Sequence, residues 1–222
     1  LPVFYQFEKP VHVPKVSASP CLKNGYITFG SFNKPEKISN ETVSLWAEIL
    51  RKTEHSRLML KYRNLFADEG LKKVWQERFY QEGIEEDRLL LMAGDHAWSE
   101  HLTLYRQIDI ALDPFPFNGA TTTFEALLMG IPVITLKGRR FVDRVGATLL
   151  QHCALTEFVA ADAGTYVDVA VQLASDPAQI GIWRERIRSY LLESPLIKGQ
   201  TYAKSLEAAY KEMWQRKCEG FV

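Results

Sequence analysis

The chain has few cysteines, no long apolar run and no excess of either charge, and each lack closes off a class of function. Its three cysteines, Cys21, Cys153 and Cys218, are widely spaced and form no C-x-x-C pair. That disfavours a disulfide scaffold and a zinc site, and it fits a reducing compartment. No apolar run approaches the roughly 20 residues of a membrane span, and no signal peptide opens the sequence, so a cytoplasmic protein is expected. The 27 basic residues equal the 27 acidic ones, so bulk electrostatics gives no argument for nucleic acid or an anionic membrane as partner. The G-x-G-x-x-G of ordinary dinucleotide dehydrogenases is missing as well.

What is present is enough apolar material for a core and a regular alternation of elements. At 222 residues and 46% hydrophobic content, the chain fits one large or two small domains. Residues 1–24 carry Pro2, Pro10, Pro14 and Pro20 and show neither helical nor strand period, so they read as an extended linker. From Gly25 onward the pattern is strand at 26–32, polar loop, and a helix capped by Ser39 or Asn40 with Val43, Trp46, Ile49 and Leu50 on one face. A short buried strand follows at 57–61. A charged amphipathic helix at 68–82 shows Leu71, Val74, Trp75 and Phe79, and Gly83 ends it. Next come a strand at 88–92 and a helix at 96–106 with Trp98, Leu102 and Tyr105 inward. Further helices are expected near 142–152, at 163–175 and at 176–192. The last helix shows Tyr202, Leu206, Ala209, Tyr210, Met213 and Trp214 as a core-facing stripe. Strands alternating with helices of this length predict an α/β fold, a parallel sheet covered by helices on both faces. Such sheets bind ligands at the carboxyl ends of their strands. The loops at 31–37 and 113–123 qualify.

Residues 109–136, DIALDPFPFNGATTTFEALLMGIPVITL, hold most of the functional signal. An apolar run ends at Asp113, Pro114 and Pro116 break the backbone pattern, and Asn118-Gly119-Ala120-Thr121-Thr122-Thr123 leads into a short helix that Gly130 and Pro132 stop. A helix start offers unpaired N–H groups and the positive end of the dipole, a natural phosphate site. Glu125, one turn in, would repel phosphate but suits the two O–H donors of a ribose diol. The residues alone leave a second reading open, in which the threonines cap the helix and Glu125 is solvated.

The stretches GYITFGSFNKPEKIS, HLTLYRQIDIALDPFPFNGATTTFEALLMGIPVITL and SLEAAYKEMW together resemble the protein O-GlcNAc transferases and their SPINDLY-like relatives, from about residue 20 to the end. The resemblance implies a two-lobed GT-B glycosyltransferase, with residues 25–222 as its C-terminal, Rossmann-like nucleotide-sugar-binding lobe and residues 1–24 as the interlobe linker. It implies a first catalytic lobe and tetratricopeptide repeats upstream, a nucleotide-sugar donor, UDP-GlcNAc, and the Ser/Thr hydroxyl of an acceptor protein. No cofactor is implied. By resemblance, Lys37 reaches the diphosphate and is the catalytic cation, with Asn33 in the same loop. His101 lies near the base or ribose. Asn118, Gly119, Ala120, Thr121, Thr122 and Thr123 form the small-residue run, with Thr121 and Thr122 on the diphosphate, and Glu125 holds the ribose where animal enzymes carry Asp. The sequence also departs from those enzymes, with Ala120 in place of a His, Trp98 in place of a Lys and Lys34 in place of a Gln. The three-threonine run and the FPF segment look like the SPINDLY branch, some members of which use GDP-fucose. With no Asp-x-Asp pair, a metal-independent reaction is expected.

Overall fold

The computed structural model describes residues 3–220. In chain order the elements are α1 (Cys21–Asn24), β1 (Thr28–Ser31), α2 (Asn40–Lys52), β2 (Arg57–Lys61), α3 (Glu69–Tyr80), β3 (Leu89–Met92), α4 (Trp98–Leu104) and β4 (Ile110–Leu112). They continue with α5 (Thr121–Leu128), β5 (Val133–Leu136), α6 (Val145–His152), β6 (Val159–Ala160), α7 (Ala163–Ala174), α8 (Pro177–Glu193) and α9 (Gly199–Cys218). The strands pair in parallel in the order β3-β2-β1-β4-β5-β6. The order reverses between β1 and β4, the kind of crevice where open α/β sheets bind ligands. Among the helices, α2 packs against both α3 and α7, and α5 packs against α8; the right-handed crossovers usual for parallel strands would place these two groups on opposite faces of the sheet.

Helix starts follow local chemistry. Ser39, Asp68, Asp162 and Asp176 each accept a backbone N–H from the first turn of α2, α3, α7 and α8. Trp46, Ile49 and Leu50 of α2 are fully buried against the sheet, as the four-residue spacing predicts. In α3, Trp75 and Phe79 are buried but Val74 is 55% exposed, because one more residue around a helix turns the side chain out of a narrow apolar face.

Trp98, which the sequence places inward, is likewise 39% exposed, and two further sequence expectations need correction. Residues 3–20 form no regular element, yet the segment ends in the one-turn helix α1 and is fastened to the lobe. Phe7 stacks on Phe124 with ring centroids 4.7 Å apart. Asp109 accepts the Cys21 N–H at 3.0 Å and the Ser19 hydroxyl, and Arg184 donates to the Ser17 main-chain oxygen at 3.1 Å. The stripe on α9 does not face the core. Tyr210, Met213 and Trp214 are 61%, 65% and 71% exposed, and no α9 residue is buried. Periodicity identifies a face able to be covered but not whether this lobe covers it. No helix among the described residues is long and apolar enough to cross a membrane.

Candidate nucleotide-sugar site

Three strand ends and the start of α5 surround a cavity of about 610 Å³. The loop after β1 contributes Phe32, Asn33, Lys34 and Lys37, and the end of β2 contributes Lys61, Tyr62 and Arg63. The segment after β3 contributes Asp95, His96, Trp98 and His101, and α5 contributes Thr121, Thr122 and Glu125, with Ala120 just before it.

The threonines do not cap α5. Its N-cap is Ala120, which makes no side-chain cap hydrogen bond. Among the described residues no acceptor meets the backbone N–H of Thr121, Thr122 or Thr123. These donors, with the positive end of the helix dipole, open where Thr121 is exposed and Ala120 and Thr122 are half-buried. The Thr122 hydroxyl donates to Asn33 Oδ1 at 2.9 Å, joining the two loops expected to form the site.

Lys37 supplies the cation. Its Nζ donates to the Asn118 main-chain oxygen at 2.9 Å and sits 4.2 Å from the centroid of the Phe117 ring. Burial lowers its pKa, and Asp113 acts in the opposite direction. The loop carrying Phe115 is held against the start of α2, where Ser39 and Thr42 both donate to the Phe115 main-chain oxygen, at 3.0 and 2.6 Å.

Beneath the wall, Asp113 organises the glycine-threonine loop. Oδ1 accepts the Gly119 N–H at 2.6 Å and Oδ2 accepts the Thr135 hydroxyl at 2.7 Å. Burial pushes the Asp113 carboxyl up to about 7, against those two hydrogen bonds and nearby Lys37. Asn118, Gly119 and Thr123 are buried and stand behind the wall rather than on it. The Asn118 amide donates to the Pro114 main-chain oxygen at 3.0 Å, so its contribution to the cavity is the carbonyl that fixes Lys37.

Glu125 is 5% exposed, not solvated. Trp98 Nε1 donates to its Oε1 at 3.3 Å, while the Tyr105 hydroxyl, at 3.0 Å, and His101 Nε2, at 3.1 Å, share Oε2. Three donors hold a carboxylate charge in place at the cavity wall, and Oε1 keeps the larger share of free lone pairs. The sequence placed Tyr105 inward without a polar role. Burial and the Glu125 charge raise its pKa well above the ordinary tyrosine value, so it stays a donor. Lys61 belongs to no motif, and its one signal in the sequence is that it is a lysine ending an apolar strand.

Sequence and structure comparisons give the family and the fold. Residues 14–206 match the family described as Glycosyl transferase family 41. The chain belongs to that family. It is 38% identical, over 93% of its length, to the protein named "Probable UDP-N-acetylglucosamine--peptide N-acetylglucosaminyltransferase SPINDLY" of Petunia hybrida. It is 28% identical over 88% of its length to the Caenorhabditis elegans protein named "UDP-N-acetylglucosamine--peptide N-acetylglucosaminyltransferase". The chain spans about a fifth of the length of these curated relatives, 22% and 16% respectively. Among solved structures, a mutant of the O-GlcNAc transferase of Thermobaculum terrenum superposes with a TM-score of 0.88 at 30% identity, covering 97% of this chain and 40% of that one. The lipopolysaccharide glycosyltransferase WaaG, at 16% identity and a TM-score of 0.57 over 84% of this chain and 49% of its own, shares the fold. The chain is therefore a member of family 41 with the α/β Rossmann-like architecture of the C-terminal GT-B lobe.

Proposed function

We propose that this lobe binds UDP-GlcNAc and presents it for transfer to a Ser or Thr hydroxyl of an acceptor protein. The observation that carries the reading is the pairing of Lys37 with the uncapped start of α5, since a fixed cation and free N–H groups converge where a diphosphate would lie. The acceptor oxygen bonds to the anomeric carbon as the bond from that carbon to the β-phosphate oxygen breaks. The electron pair leaves with UDP, and the hydroxyl proton passes to a base outside this lobe or to water. Negative charge grows on the leaving diphosphate, so Lys37, the α5 N–H groups and the Thr121 hydroxyl stabilise the transition state more than the ground state, and the Thr122 hydroxyl joins them by turning its one proton from Asn33 Oδ1 to the diphosphate. Glu125 accepts from the ribose diol through its freer oxygen. Catalysis is then positioning plus leaving-group stabilisation, without a metal.

The rest of the machinery in this reading is an N-terminal catalytic lobe and tetratricopeptide repeats on the same protein, acting in the cytoplasm on protein acceptors. The names of the relatives at 38% and 28% identity support this donor and acceptor. A second reading keeps the site and changes the donor to GDP-fucose. The observation favouring it is that Trp98 and Ala120, two departures from the animal pattern, both line the cavity. Calorimetric titration of UDP and GDP separates the two, and tight GDP binding with no UDP binding would overturn the first.

A further inference from the structure

Lys61 ends β2 and is only 2% exposed, yet it reaches the wall of the nucleotide cavity. Its Nζ donates to the Gly94 main-chain oxygen at 3.2 Å. That is its only hydrogen bond among the described residues, and no carboxylate there comes within ion-pair distance. An ammonium carries three donors, so two N–H groups remain for something in the cavity. Burial lowers its pKa while the charges of Asp95 and Glu125 act to keep it protonated. Glu125 is already engaged by Trp98, His101 and Tyr105. A buried cation with spare donors and no paired acid is a costly arrangement for a mere strut, because a methionine would fill the same space.

Its place in the sheet says which part of a nucleotide it meets. The diphosphate end is fixed by Lys37 and the start of α5, at the crevice between β1 and β4. β2 and β3 lie beyond β1 on the side away from β4, each strand about 4.8 Å further. A nucleoside diphosphate laid from the crevice past Glu125 therefore puts its base over the ends of β2 and β3, beside Lys61, the Gly94 segment and the partly exposed Trp98. An indole can stack on any base and does not choose among them.

We propose that Lys61 is a specificity-determining residue that donates to a ring carbonyl of the base and selects keto bases, uracil or guanine, over their amino counterparts, cytosine and adenine. Uracil O4 and guanine O6 are acceptors, whereas the amino groups at the same ring positions are donors that would face an ammonium unpaired. The inference rests on the nucleotide-sugar reading of the cavity and is indifferent to which keto base is used.

The test is calorimetric titration of the full-length protein and its Lys61→Met and Lys61→Arg variants with UDP, CDP, GDP, ADP and inorganic pyrophosphate. Wild type is expected to prefer UDP over CDP, or GDP over ADP, by roughly 10- to 100-fold. Lys61→Met should bring that ratio close to one by weakening the keto partner alone, with pyrophosphate binding unchanged, and Lys61→Arg should retain the preference. Equal weakening of both bases and of pyrophosphate would reduce Lys61 to a support for the Gly94 segment and overturn the proposal, as would an unchanged ratio. Wild-type protein that binds none of the four nucleotides would instead overturn the nucleotide reading itself.

Discussion

The Lys37 ammonium is anchored to the main-chain oxygen of Asn118 at 2.9 Å, which couples the loop after β1 to the loop before α5. The cation is thus fixed before any ligand arrives, so in the proposed reaction little reorganisation is needed when charge develops on the leaving diphosphate. Lys37→Met keeps the length of the stem and removes the charge. Transfer by the full-length protein should fall by about 100-fold or more in kcat, and affinity for the nucleoside diphosphate by about 10-fold. Turnover and calorimetry measure the two. An unchanged kcat would remove Lys37 from the chemistry.

Gly119 is a point of close approach. A Cβ there would lie 2.5 Å from Thr122 Oγ1 and 3.0 Å from both Asn33 Oδ1 and Thr123 Oγ1. Gly119→Ala would therefore drive apart the Thr122–Asn33 hydrogen bond that closes the proposed phosphate end. Nucleotide affinity is expected to drop about 10-fold, equivalent to about 1.4 kcal/mol. The atoms the new methyl would meet are polar side-chain oxygens of Asn33, Thr122 and Thr123 and not the apolar core, so the melting temperature should shift much less than a core cavity would cause. Titration beside a thermal melt distinguishes local displacement from unfolding.

Much of this was legible in the sequence because it is written in short-range patterns. The strand at 57–61 and the starts of α2 and α8 follow from an apolar run, from Ser39, and from Asp176 with Pro177. The crevice loops at 31–37 and 113–123 follow from strand alternation alone. Other features depend on contacts that no local pattern records. The threonines at 121–123 look like caps, but Asp113 pulls the Gly119 N–H downward and leaves the first turn of α5 open. Lys61 reads as a strand end until the Gly94 segment folds over it. Tyr210, Met213 and Trp214 make a good apolar face, yet periodicity carries no information about what lies opposite.

Asp113 gives the lobe a pH-dependent stability of unusual sign for a carboxylate. Its pKa rises from 3.8 to about 7 on folding, chiefly through burial. Between those values the folded chain holds a proton that the unfolded chain has lost. This contribution is therefore fully present below about pH 4 and is lost as the pH rises through 7, amounting to about 4 kcal/mol at most. Asn fits the same contacts, since its oxygen can accept from Gly119 and its amide can donate to a reoriented Thr135 hydroxyl. Urea midpoints of wild type and Asp113→Asn should therefore diverge between pH 5 and 8, with the wild type losing ground as the pH rises. Parallel curves would mean that Asp113 ionises normally in the fold.

Tyr166 links the helical layer to the same loop from below. Its hydroxyl accepts from the Trp46 indole at 2.9 Å and donates to the Asp113 main-chain oxygen at 3.1 Å. All three groups are buried, so Tyr166→Phe leaves an indole N–H and a carbonyl without partners while preserving the ring. The expected cost is about 1–3 kcal/mol, or a fall of roughly 3–10 °C in melting temperature for a chain of this size. The Asp113 side chain still holds Gly119 and Thr135 in this variant, so nucleotide affinity should stay within about threefold of wild type. A melting temperature that falls together with a collapse of nucleotide binding would mean that the Asp113 main chain, and not its carboxylate, sets the shape of the phosphate end.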